Sequence, residues 1–391
     1  MRTLTRLLTP AALLLAVAAC DTDNITFGGP APGAPEDLSV EYRWVFEGFT
    51  SAGQAVGHPA VELNWLPPTN WNNEPFRVYG RRAAESGFFL IATVTSCTER
   101  GCTYRDRNVA PGRSYSYYVA TVDESIDEET TSEFQEEVFV PVATTPAAPR
   151  PDSAVALDNA AFLRWTAGGA AGSIARYAVY LTRLDGSSSL YNTGEADGNS
   201  FLDTRAENGH VYGYRVAAID TLGHVSSLSS EVTVVPRPDR TAELVYASSS
   251  NAAQSGFRFV TQDGTAAVVS GTAADAHWRL ERDASGWRMV PLNGTRIYDA
   301  GRTTALACGP GAGPECRAID RAPVAGYVTT AVSLNPEVSY VLAVTGSDGR
   351  PHYGVVRVSI LGTDQTGRSL MIFDWAYQQV VGEARLDRSA R

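Results

Sequence analysis

The sequence contains no lysine, so all 32 of its basic residues are arginine, and this compositional bias marks no site. Its five histidines are scattered along 391 residues, and the motifs G-x-S-x-G, H-E-x-x-H and the phosphate-binding glycine loop are missing. With no acid/base signature either, we expect a protein that is not an enzyme. The net charge of −11 disfavours nucleic acid as a partner, because the phosphate backbone binds basic surfaces.

Long apolar runs are also missing. After the N-terminal segment, no stretch approaches the ~18 consecutive apolar residues of a membrane-spanning helix. Residues 1–19 instead combine two arginines, an apolar stretch and the small residues Val17, Ala18 and Ala19 directly before Cys20. This pattern predicts a signal peptide that is removed before Cys20.

The segment around Cys20 resembles the signal of bacterial lipoproteins, in which small residues precede an invariant cysteine. The resemblance implies that Cys20 is lipidated. The mature chain would then be held at a membrane of the bacterial cell envelope, at the outer membrane or the cell surface, through its lipid. The alternative is an ordinary secretory signal in which Cys20 is incidental.

The other four cysteines form two close pairs, Cys97 with Cys102 and Cys308 with Cys316. Because an exported chain meets an oxidising environment, these pairs predict two loop-closing disulfides. The alternative is a four-thiolate metal site, but neither spacing is C-x2-C and no histidine is close in sequence. We therefore expect no metal site.

Proline-rich and glycine-rich segments divide the chain after Cys20 into three bodies. The segment before Glu36 has almost nothing to bury and is typical of a flexible stalk, whereas Thr144–Pro151 is a stiff proline linker. The predicted division is a signal peptide at 1–19, a stalk at 20–35, a first domain at 36–143, a linker at 144–151, a second domain at 152–236 and a C-terminal domain at 240–391.

The first two bodies are copies of one repeat. Residues Val61–Trp65 and Ala161–Trp165 both alternate apolar and polar side chains and place a tryptophan on the apolar side. Further along, matching residues lie at a constant offset of 97: Asp106 with Asp203, Tyr115 with Tyr212, Tyr117 with Tyr214, Val119 with Val216, and Asp123 with Asp220. Short alternating strands without helical periodicity predict two antiparallel β-sandwiches.

A strand with an inward tryptophan, followed by a Y-x-Y-x-V strand, resembles the fibronectin type III family over residues 36–141 and 152–235. In that family the early tyrosine of the penultimate strand forms a tyrosine corner. The resemblance assigns this structural role to Tyr115 and Tyr212. Modules of this family also accompany secreted carbohydrate-active enzymes, so a carbohydrate-binding accessory role is one alternative.

Two loops set the first copy apart. Trp71 lies in the proline-rich connection after Leu66, where it either stacks on a sugar or a protein partner or folds back over the end of the sandwich. The segment Asp123–Glu137 carries eight acidic residues without the ligand spacing of a calcium loop, which predicts a solvated acidic loop.

The third body ends in alternating strands, Val338–Val344, Val356–Ile360 and an aromatic strand from Met371 to Tyr377, which predict an antiparallel β-meander. This ending resembles the HmuY-type haem-binding lipoproteins, whose iron is held by two histidines. The C-terminal body has two histidines, His277 and His352, and the resemblance makes them candidate haem ligands.

We therefore predict an all-β chain with two tandem fibronectin type III-like β-sandwiches followed by a C-terminal antiparallel β-meander domain. The predicted function is non-catalytic binding or display at the envelope, with a protein or carbohydrate ligand and no cofactor. Haem binding by the C-terminal domain and a carbohydrate-binding accessory role are the alternatives.

Overall fold

The computed structural model describes residues 31–98, 100–124, 128–169, 174–261, 265–308, 312–346 and 349–386. The predicted fold class is confirmed, because the described chain is built from antiparallel sheets. In this part of the chain, no helix has the length and apolar character needed to cross a bilayer. The predicted signal peptide and Cys20 lie outside the described residues.

The first sandwich consists of two sheets with the orders β1-β2-β5 and β4-β3-β6-β7, and β8 also pairs with β6. Alternation along the chain selects the inner face, because Val61, Leu63 and Trp65 are buried while the residues between them are partly exposed. Its strands are β1 (Glu36–Phe49), β2 (Ala55–Leu66), β3 (Phe76–Arg82), β4 (Phe89–Val94), β5 (Cys102–Asp106), β6 (Arg113–Asp123), β7 (Glu128–Thr131) and β8 (Glu136–Val140).

The second sandwich repeats this plan with sheets ordered β13-β10-β9 and β12-β11-β14-β15. The inward tryptophans occupy matching places, since Trp65 lies 5.7 Å from Phe76 and Trp165 lies 5.3 Å from Tyr177, measured between ring centroids. Its strands are β9 (Arg150–Leu157), β10 (Ala160–Thr166), β11 (Ile174–Leu184), β12 (Ser187–Ala196), β13 (Ser200–Asp203), β14 (Tyr212–Asp220) and β15 (Val232–Val234).

The C-terminal domain extends the predicted meander into two five-stranded sheets, ordered β16-β25-β24-β23-β21 and β18-β17-β19-β20-β22. Both sheets contribute to one core, in which Phe257 and Trp278 of one sheet pack on Phe373 of the other. Its strands are β16 (Asp239–Tyr246), β17 (Gly256–Phe257), β18 (Val268–Val269), β19 (Trp278–Asp283), β20 (Gly286–Pro291), β21 (Arg296–Arg302), β22 (Val332–Ser333), β23 (Val338–Thr345), β24 (Pro351–Thr363) and β25 (Ser369–Gln378).

The described part of the chain divides into two compact units, of which one lies within residues 31–42 and 61–141 and the other within residues 43–60 and 142–386. Residues 43–60 form the outer part of the β1–β2 hairpin and cover the outer face of the second sandwich. Phe49 meets Tyr180 edge to face at 5.1 Å, and the Leu228 N–H donates to the Gly53 carbonyl at 2.8 Å. The sequence pattern did not predict this cover.

The acidic segment of the first copy faces solvent as its composition predicts, with Glu128, Glu133 and Glu137 exposed, but the prediction of a loop is wrong. It contains β7 and β8, and Glu129 accepts hydrogen bonds from the Tyr79 hydroxyl at 2.9 Å and from Arg77. Antiparallel pairing with β6 orders this segment, and charged side chains at the edge of a sheet can still reach water. Among the described residues, no group of three or more metal-ligating side chains is assembled.

We expect Phe49→Ala to destabilise the second sandwich by about 2 kcal/mol, somewhat below the usual cost of a fully buried phenylalanine because Phe49 is partly exposed. Urea unfolding of the full chain should show a lower midpoint. Phe134→Ala is the matched control, since Phe134 is 65% exposed, and it should leave the midpoint in place. Equal midpoints for Phe49→Ala and the wild type would show that the hairpin adds nothing to stability.

Candidate functional site

Both predicted cysteine pairs are joined in the structure. Cys97 is bonded to Cys102 and Cys308 to Cys316, with Cα–Cα distances of 4.7 and 5.8 Å. The first disulfide closes the turn that leads into β5, where Cys102 is buried in the core. The pairs therefore hold loops in place.

Tyr115 and Tyr212 each fold back on the loop before their strand. The Tyr115 hydroxyl accepts a hydrogen bond from the Ala110 N–H at 2.7 Å, and the Tyr212 hydroxyl accepts one from the Glu207 N–H at 2.8 Å. Each partner lies five residues earlier, as a tyrosine corner requires. These side chains serve the fold.

The C-terminal domain contains the same device at Tyr340, which the sequence reasoning missed. Its hydroxyl accepts from the Asn335 N–H at 3.2 Å and donates to the Ser333 carbonyl at 2.8 Å. Burial raises the pKa of Tyr340 to about 12, so the phenol stays neutral and can donate. The available signal was a tyrosine early in an alternating strand.

The residues that repeat at an offset of 97 form one buried bridge in each sandwich. Tyr117 of β6 donates to Asp106 Oδ2 of β5 at 2.9 Å, and Tyr214 of β14 donates to Asp203 Oδ2 of β13 at 3.0 Å. Burial raises the pKa of both tyrosines far above the ordinary value, which keeps the donors protonated. Each bond joins the two sheets of its sandwich.

Trp71 takes the second of its two predicted positions. It packs against the core of the first sandwich, with its ring 6.1 Å from Phe76, and its indole N–H donates to the Glu74 carbonyl at 2.9 Å. The side chain covers one end of the sandwich. Because the indole N–H of Trp71 already donates a hydrogen bond within the loop, it is not available to bind a ligand.

The two C-terminal histidines lie on either side of a stacked aromatic pair. The rings of Phe259 and Tyr377 are 4.9 Å apart and nearly parallel; His277 lies 5.6 Å from Phe259 and His352 lies 6.0 Å from Tyr377. The space between the histidines is therefore filled by aromatic rings and not by an open cleft.

The position of the proton on the His277 ring also disfavours the binding of haem iron by this side chain. Burial lowers its pKa to about 4, so the ring is neutral, and Nδ1 accepts a hydrogen bond from the Phe259 N–H at 3.1 Å. A neutral imidazole that accepts at Nδ1 carries its proton on Nε2 and has no free lone pair there. The residues present do not fit a haem held between His277 and His352 in this arrangement, and haem binding stays a sequence prediction.

A depression of about 390 Å³ opens on the flank of the first sandwich, between β4 and β5. The buried part of its lining includes Asp106 and Tyr117, which form the bridge between the sheets. Its exposed lining residues are Arg82, Glu85, Phe89, Ile91 and Asn108, while Arg81 and Tyr104 are partly accessible. Sequence reasoning did not identify this site.

The two copies differ at Gly80, which lines the depression. In the register of the first sandwich Gly80 faces Tyr117, and in the second sandwich Leu181 faces Tyr214 at the matching place. Leu181 is 2% exposed and belongs to the core. A Cβ atom on Gly80 would come within 3.1 Å of both Tyr117 and Ile91, so these two side chains lie close against the glycine at the position where the other copy has Leu181.

Two further substitutions keep this flank open. In the second sandwich Arg205 donates to the Thr193 hydroxyl at 2.9 Å and closes the flank with a polar bridge. At the offset of 97, Asn108 replaces Arg205 in the first sandwich. Ile91 replaces Thr193, since both occupy the shifted position of the edge strand. The shorter amide and the apolar side chain cannot form that bridge.

We expect Tyr212→Phe to destabilise the second sandwich by about 1–2 kcal/mol, because the Glu207 N–H loses its acceptor. Urea unfolding of the full chain measures the change. Tyr191→Phe is the matched control, as Tyr191 is 53% exposed, and it should have no effect. A Tyr212→Phe protein as stable as the wild type would contradict the structural role of this hydroxyl.

The C-terminal domain should lose stability as the pH falls from about 6.5 towards 4, because the unfolded chain protonates His277 before the folded chain does. The full effect is about 3 kcal/mol. His277→Asn keeps an acceptor for Phe259 and cannot titrate, so urea midpoints at about pH 7.5 and 5 should differ less in this variant. An unchanged difference between the two midpoints would refute the role of His277.

No protein family and no curated protein matches this chain. Among solved structures, it is similar to the FN1–FN3 domains of chicken CNTN1, with 15% identity, a TM-score of 0.38 and coverage of 53% of this chain and 68% of that one. It is also similar to the fibronectin(III)-like modules of Clostridium thermocellum CbhA, with 18% identity, a TM-score of 0.30 and coverage of 51% and 94%. Neither likeness says what this chain binds.

Proposed function

We propose that the chain is a non-catalytic binding and display protein, held at the bacterial cell envelope by a lipid on Cys20. The anchor is supported by the sequence before Cys20, where two arginines, an apolar stretch and three small residues precede the cysteine. Sheets carried on such an anchor would present their surfaces outside the cytoplasm. The ligand would be a carbohydrate or a protein segment.

The flank depression of the first sandwich supports the proposed binding function. Two copies of one repeat share the inward tryptophan, the tyrosine corner and the bridge between the sheets, yet only the second copy has Leu181, Thr193 and Arg205 to fill and close the flank. Gly80 in place of the buried Leu181 forgoes burial, and Asn108 in place of Arg205 forgoes a hydrogen bond to the edge strand, so these differences favour a role in binding over stability. The volume lies within the range of small-molecule sites.

The polar groups of the depression are arranged to orient a ligand. Asp106 is 8% exposed, and both of its oxygens already accept hydrogen bonds, from the Tyr117 hydroxyl and from the Asn108 N–H at 2.8 Å. A carboxylate fixed in this way retains further lone pairs and can accept again without moving. Asp106 is therefore a hydrogen-bond acceptor in a fixed position, and such an acceptor can orient a bound ligand.

Lipid anchoring predicts that Cys20→Ser moves the protein from the membrane fraction to the soluble fraction of a bacterial host, because the acyl chains supply the membrane affinity. Metabolic labelling with a palmitate analogue should mark the wild type and not the variant. Cys97→Ser paired with Cys102→Ser is the control for cysteine loss, and it should keep both the label and the membrane fraction. Unlabelled wild type in the soluble fraction would refute the anchor.

A further inference from the structure

The charged residues around the flank depression balance one another. Asp106 and Glu85 contribute two carboxylates, and Arg81 and Arg82 contribute two guanidinium groups. Opposite charges at one small site cancel most of the field that would attract either an anion or a cation. The electrostatics therefore favour a ligand without net charge.

The hydrogen-bonding groups of the depression are of both kinds. Carboxylates only accept, guanidinium groups only donate, and the side-chain amide of Asn108 does both. A ligand that satisfies such a mixed set must donate at some points and accept at others. Hydroxyl groups fulfil this requirement, since each has one donor and two acceptor positions.

The remaining lining residues provide flat apolar surface. Phe89 is 61% exposed and Ile91 is 37% exposed, and both side chains line the depression together with the ring of Tyr104. An exposed aromatic ring offers contact area with only two side-chain torsions to fix. A ligand with an apolar face would cover these side chains while its polar edge meets Asp106 and Asn108.

We infer that the flank depression of the first sandwich binds a ring of a neutral saccharide, an inference that rests on the binding function proposed above. A pyranose ring is uncharged, carries several hydroxyl groups on its edge and presents C–H groups on its faces. An apolar peptide side chain would meet Phe89 and Ile91 equally well, but it would desolvate Asp106 and Asn108 without returning a hydrogen bond. The saccharide satisfies both parts of the site.

The test uses the purified full-length protein in detergent, titrated by calorimetry with neutral oligosaccharides of glucose, galactose, mannose and xylose. Oligosaccharides of a uronic acid and of an amino sugar, and an extended apolar peptide, serve as the charged and peptide alternatives. We expect at least one neutral oligosaccharide to bind. The double variant Ile91→Thr/Asn108→Arg copies the closed flank of the second sandwich and should weaken this binding by at least about tenfold.

Leu90→Thr is the matched control, because Leu90 is an exposed neighbour on the same strand and does not line the depression. It should leave the affinity within about twofold of the wild type. Both variants change exposed or partly exposed residues, and unchanged far-ultraviolet circular dichroism verifies their fold.

Three outcomes would overturn the inference. Neutral saccharide binding that survives Ile91→Thr/Asn108→Arg would place the site elsewhere. Binding of only the charged oligosaccharides or only the peptide would refute the ligand class. No binding of any neutral oligosaccharide up to about 10 mM would refute it as well. Lipid labelling of Cys20 is measured separately, so loss of the saccharide site and loss of the anchor are distinguishable.

Discussion

Both sandwiches depend on one hydrogen bond that crosses between their sheets. In the first copy Tyr117 donates to Asp106, and in the second Tyr214 donates to Asp203, at nearly equal distances. The bond satisfies a largely buried carboxylate and a largely buried phenol at once, and a polar group left without a partner in a protein interior is costly. The bond fixes the separation of the sheets at the flank, and in the first copy it also forms part of the wall of the depression.

The two copies of the repeat share some of their structural residues and differ at the flank. Positions that keep the sandwich closed are the same in both copies, including Ser132 and Ser229, which accept from the Val119 and Val216 N–H groups. The flank positions differ instead, with Gly80 facing Tyr117 where Leu181 faces Tyr214. A site can open at the flank without loss of the fold, because the bridge and the inward tryptophan remain in place.

The β1–β2 hairpin contributes residues to two separate hydrophobic clusters. Its inner residues contribute Val61 and Trp65 to the first core, while its outer residues cover the second sandwich through Phe46 and Phe49. A strand that reaches beyond its own sheet would expose apolar side chains and unpaired backbone groups. Packing on the β11–β14 face buries them, and the cover explains why Tyr180 is 9% exposed.

Much of the fold could be predicted from the sequence, because alternation, turn residues and the offset of 97 are local or repeated signals. They identified both sandwiches, the two disulfides and the tyrosine corner of each sandwich, but not the corresponding tyrosine of the C-terminal domain, Tyr340. The candidate site could not be found in this way. A glycine such as Gly80 has no sequence pattern that marks it as part of a depression, and its role depends on which side chains lie next to it.

The sequence by itself determined where strands form, which face of each is buried and which residues of the two copies correspond. The tertiary structure decided which distant residues come together: Phe49 with Tyr180, the Phe259 and Tyr377 rings between two histidines, and Ile91 and Asp106 in the lining of one depression. The physical reason is the distance along the chain over which each effect acts. Strand propensity and alternation act between neighbours in the chain, whereas a depression is a property of packing among residues that only the closed sheets bring together.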